Sequence, residues 1–61
     1  MEKKKIKERL IEFRIKRGMT QTEFSEISGI PVVTISRIEN GQNLPSAKTI
    51  HKIDKVINEM V

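Results

Sequence analysis

Few side chains in this sequence stand at spacings that could do chemistry. His51 is the only histidine and no cysteine accompanies it, so a metal site, which needs several ligands at fixed spacing, is not expected. Serine, threonine, aspartate and glutamate are all present, yet without an activated-nucleophile pattern or a glycine-rich phosphate loop. No enzyme and no cofactor are expected on those grounds. What remains is charge. Lys and Arg total 12 against 8 acidic residues, for a net charge of +4 and a pI near 9.8. That balance favours an anionic partner, and nucleic acid is the commonest one. The run Lys3-Lys4-Lys5 has two readings, a solvated chain end or an arm that tracks a phosphate backbone.

These groups need helices to position them. Lys3 to Arg17 reads as a first helix, with Ile6, Leu10 and Phe13 on one face and Gly18 as its stop. The second start is marked more heavily. Thr20 can cap the helix, Glu23 can answer it three residues later, and Met19 can staple against Phe24. Gln21–Ser28 is therefore expected as helix two, ended by Gly29. Pro31 pushes Ile30 out of helical geometry and suits a first turn itself. Helix three is expected over Val32–Asn40, with Ile35 and Ile38 inward and Gly41 closing it. Ser46 can cap a fourth helix that carries Ile50, Ile53, Val56 or Ile57, and Met60. Its length is left open between one long helix and a short one with a frayed tail. The run Ile30-Pro31-Val32-Val33 is too brief to argue for a sheet.

Two short helices joined by a tight glycine-bearing turn make a helix-turn-helix unit, here at about residues 21–40. Its first helix crosses the DNA backbone and its second enters the major groove, which is wide enough to admit it. Ser25 is the small residue where the two helices cross, Gly29 lies in the turn, and Ile30, Ile35 and Ile38 anchor the reading face from behind.

The stretch Gly18-Met19-Thr20-Gln21-Thr22-Glu23-Phe24-Ser25-Glu26-Ile27-Ser28-Gly29-Ile30, followed by Thr34-Ile35-Ser36-Arg37-Ile38-Glu39-Asn40-Gly41 and Pro45-Ser46, resembles the Cro/repressor-type (XRE-like) helix-turn-helix family. The resemblance spans roughly Ile6 to Ile57. It implies an all-α, lambda-repressor-like bundle of four or five helices that binds double-stranded operator DNA as a homodimer. It also implies that Gln21 meets a phosphate and steadies the reading helix, and that Asn40 meets phosphate at that helix's end. Arg14 and Glu39 match a structural ion pair between helix one and the end of helix three. Val32, Val33, Ser36 and Arg37 take the reading positions, and Thr20, Pro31, Thr34 and Lys5 complete the implied DNA-contacting set. This chain departs from the family pattern in several places. Pro31 offers no side-chain acceptor to cap helix three. Val32 and Val33 cannot hydrogen-bond a base edge, although valine can touch a thymine methyl group. Asp54 and His51 replace the usual alanine and leucine, and a fifth helix is missing or merged into Val56–Val61. Ile11 and Ile15 stand on a normally polar flank.

The expectation is one domain over residues 1–61, a sequence-specific transcriptional regulator acting as a repressor on a palindromic operator. No apolar run nears the roughly 20 residues of a membrane span and no signal core follows the charged start, so the chain is expected to be soluble and cytoplasmic. The alternative is a protein-interaction module on the same scaffold, with a toxin or an antirepressor as partner. Ile11, Ile15 and the apolar C-terminal helix favour it.

Overall fold

The computed structural model describes residues 5–42 and 44–60. Among those residues it contains four α-helices and no strand: α1 (Ile6–Lys16), α2 (Gln21–Ser28), α3 (Val32–Glu39) and α4 (Ala47–Glu59). The chain is all-α. Helix α1 is shorter at both ends than its apolar spacing suggests. Lys5 is its N-cap, with its backbone N–H donating to the Glu8 carboxylate at 3.1 Å, and Lys3 and Lys4 lie outside the described residues. At the other end Arg17 is the C-cap rather than a helical residue. Asn40 likewise caps α3 instead of belonging to it. Helix α4 is one continuous helix of 13 residues, about 20 Å long at 1.5 Å per residue. Four helices, not five, complete the described bundle.

Local chemistry explains the boundaries. The Thr20 hydroxyl accepts from the Glu23 N–H at 3.1 Å, and the Thr20 N–H donates to the Glu23 carboxylate at 2.8 Å. Both orphan donors at the start of α2 are thereby satisfied. Gly29 ends α2 at φ 76°, a left-handed conformation that costs a residue with a Cβ but not glycine. Ile30 is then buried in a non-helical stretch, so its backbone needs partners. The Ser25 hydroxyl donates to the Ile30 carbonyl at 2.6 Å, and the Ile30 N–H donates to the Ser28 hydroxyl at 3.3 Å. Two serines thus hold the turn between α2 and α3.

Leu10, Phe24, Ile30, Ile35, Ile38, Ile53 and Val56 form the core, with Ile6, Phe13, Met19, Ile57 and Met60 packed against it. Fully burying one such side chain contributes about 1.5–3 kcal/mol, so each matters in a chain this short. The Phe13 and Phe24 rings meet edge to face at 6.0 Å, and the Arg17 guanidinium covers the outer face of Phe13 at 5.1 Å. Helix α3 packs on α1 and α2, and α4 packs on the same two helices. Helices α3 and α4 therefore stand diagonally across the core.

Candidate nucleic-acid interface

Helix α3 has two unlike faces. Ile35 and Ile38 point into the core and are almost completely buried. Val33, Ser36, Arg37 and Asn40, at i, i+3, i+4 and i+7, lie on the opposite side. Val33 is 53% exposed and Val32 42%, while Pro31, Arg37 and Asn40 are also exposed and Ser36 is half-buried. Thr34 sits on the flank, half-buried, one turn before Ile38. At the front of the helix Pro31 is the N-cap and supplies no side-chain hydrogen bond. The Thr34 and Ile35 N–H groups donate to the Pro31 carbonyl at 3.0 and 3.1 Å. Two valines and an arginine thus face outward from a helix whose other side is buried in the core.

The rear of α3 is held by charge. Arg14 on α1 donates from Nε to Glu39 Oε2 and from Nη2 to Glu39 Oε1, each at 2.9 Å. This is a bidentate pair with only 18% and 8% of the two side chains exposed. Planar guanidinium-to-carboxylate pairing of this kind is short and directional. Its hydrogen bonds to Glu39 raise the Arg14 pKa, so the guanidinium stays charged. The third donor, Nη1, reaches the Met19 carbonyl at 2.9 Å. Gln21 joins from the start of α2, donating from Nε2 to Glu39 Oε1 at 3.1 Å. One carboxylate therefore gathers α1, α2 and α3.

Thr20 and Gln21 lie together at the N-terminus of α2, the positive end of that helix dipole. Both Thr20 side-chain and backbone groups are engaged in capping, and the Gln21 amide is committed to Glu39. Asn40 is at the opposite end of α3 from Val32. Lys5 lines a groove with Ile38, Gly41, Leu44 and Pro45, which places it beside the rear of α3 and away from its front. Met1 to Lys4, the rest of the N-terminal arm, lie outside the described residues.

Several contacts were not read from the sequence. Arg9 on α1 meets Asp54 on α4, Nη1 to Oδ1, at 2.7 Å. That oxygen is buried and has no aligned hydrogen bond, so the arginine is its charge partner. Asp54 departs from the family's usual alanine, and this departure was the one available signal. Ile57 and Met60, near the end of α4, are partly buried against the core. Ile11 is half-buried, whereas Ile15 is 64% exposed. No helix among the described residues is long and apolar enough to cross a membrane.

A family model described as helix-turn-helix matches residues 10–59. Two relatives from Archaeoglobus fulgidus, each named an uncharacterized HTH-type transcriptional regulator, are 38% identical to this chain over 56 residues. The aligned region covers 92% of this chain and 80% of one relative and 79% of the other. No solved structure matches.

Proposed function

The chain belongs to the helix-turn-helix family of the XRE type, and on that premise we propose that it is a DNA-binding transcriptional regulator that reads sequence with α3. The observation that carries this reading is the division of α3 itself. Its rear is clamped by Arg14, Gln21 and Glu39, while Val32, Val33 and Arg37 stand exposed at the front and along the outer face. A helix held this firmly can present side chains to a groove without loss of register. Arg37 supplies the hydrogen-bonding and charged contact, to a base edge or a phosphate. Val32 and Val33 supply apolar contact to thymine methyl groups. On this reading Thr20, Gln21, Asn40 and Lys5 would meet phosphates flanking the groove, with Pro31, Thr34 and Ser36 bordering the contact. Phosphate contacts orient, and the outward side chains of α3 select.

The finer reading is a repressor working in the cytoplasm as a homodimer on a palindromic operator. One small module buries only about 600–1,000 Å² on DNA. Two modules with reading helices about 34 Å apart would double that contact. On this reading the pairing surface involves the end of the chain, where Ile57 and Met60 are only partly buried against the core. Selection of bound sites from random-sequence duplexes tests the reading. A recurring two-fold symmetric site with thymines opposite the valines is expected, and retention of all sequences alike would overturn it. A second reading, a module that docks a toxin or antirepressor, is favoured by the exposed Ile15. Under it, selection would return no preferred sequence.

A further inference from the structure

The outer face of α4 carries an unusual run of charge. Lys48, His51, Lys52 and Lys55 fall at i, i+3, i+4 and i+7, on the side opposite Ile50, Ile53 and Ile57. Lys48, His51 and Lys55 are exposed and Lys52 is half-buried. Among the described residues none of the three lysines has an ion-pair partner. Asp54, the nearest acid on the helix, turns away to Arg9, and Glu59 comes only a turn beyond Lys55.

Local helix physics works against this arrangement. Lys48 with Lys52, and Lys52 with Lys55, are like-charge neighbours that weaken a helix. Lys48 also sits in the first turn, where the dipole favours anions, and that turn holds no acidic residue. An anion laid along the helix would relieve both penalties. The three lysines span about 10 Å, the axial length over which one duplex strand presents about three phosphates.

Position decides how the stripe could be used. Helices α3 and α4 are diagonal across the core, each packed on α1 and α2. The two helices hardly pack on each other, and each turns its exposed side away from the core they share, which leaves the α4 stripe as a surface separate from that of α3. We propose that the outer face of α4 is a second nucleic-acid surface, which holds the phosphate backbone of another duplex segment without reading its sequence. A single subunit then bridges two stretches of DNA. This rests on α3 as the reading helix.

The test tethers one duplex of mixed sequence to beads, adds protein, and measures recruitment of a second, labelled duplex. The triple variant Lys48→Gln, Lys52→Gln, Lys55→Gln removes the charge, keeps the helix, and is expected to melt no lower than wild type. Wild type recruits the labelled duplex, more weakly as salt rises. The variant stays on the beads but recruits at least about tenfold less. Recruitment by the variant equal to wild type would overturn the proposal, since a dimer presenting two α3 helices would do that. Loss of the variant from the beads would also overturn it, because the stripe would then belong to the first duplex's interface. No recruitment by wild type, with retention on poly-glutamate beads instead, would replace the duplex with an acidic polypeptide. Arg37→Ala separates the underlying reading: it should weaken retention on the duplex selected through α3 while leaving the stripe intact.

Discussion

The two ends of α3 are built on opposite terms. At the rear, Glu39 accepts three hydrogen bonds from Arg14 and Gln21, and the chain closes over Gly41 with the Gln42 N–H bonded to the Arg37 carbonyl at 2.9 Å. At the front, Pro31 gives no side-chain cap and two valines face outward. Polar pairing is concentrated where the helix must not move. The front lacks such pairing and offers apolar surface to whatever arrives. A free-standing helix would gain from a side-chain acceptor at its N-cap, which Pro31 does not provide. The difference makes sense for a helix that completes its contacts on a partner.

Breaking the rear should have the largest effect. Glu39→Gln leaves the Arg14 charge half-shielded without its carboxylate. Losing one partner of a fully buried pair costs about 3–5 kcal/mol; with part of this pair exposed, roughly 2–3 kcal/mol is expected. In a domain of this size the melting temperature should fall by roughly 10 °C or more, read by circular dichroism. Next comes Arg37→Ala on the exposed face. Affinity for the selected duplex should drop by about 1–3 kcal/mol, whereas stability should shift by no more than about 0.5 kcal/mol, as surface substitutions do. A fall in melting temperature as large as that of Glu39→Gln would erase the distinction between the two regions.

Two helix caps should give smaller effects. Thr20→Ala removes the side-chain acceptor that starts α2 and should cost about 1 kcal/mol. Pro31→Ser would give α3 the cap it lacks, worth up to about 1 kcal/mol. It also returns freedom to the unfolded chain, a loss of about 0.4–1 kcal/mol. The net should be close to zero by thermal melts, and clearly smaller than the Thr20 effect.

What could be read from the sequence was local. The bounds of α2 follow from Thr20, Glu23 and Gly29, residues that act within four positions of themselves. The inward set Leu10, Phe24, Ile35, Ile38 and Ile53 follows from helical spacing. The link between Arg14 and Glu39 came from resemblance, because nothing in the spacing of residues 25 apart reveals a contact. Arg9 with Asp54 shows the same difficulty without a family motif to help. The inward packing of Ile57 and Met60 depends on how far α4 reaches along α1 and α2, which only the assembled bundle decides. The C-terminal ends of α1 and α3 fall one residue short of the expected bounds, because Arg17 and Asn40 share the helix's pattern without its geometry.

On the proposed reading α3 meets DNA with its front and outer face while its rear stays clamped. Titrating the isotope-labelled protein with the selected duplex, and following amide and side-chain resonances by NMR, tests it directly. The largest shifts are expected at Val32, Val33, Ser36 and Arg37, with smaller ones at Thr20 and Gln21 and an unchanged Arg14 Nε resonance that still reports its bond to Glu39. Shifts centred on Ile11 and Ile15, with the α3 amides unmoved, would contradict it.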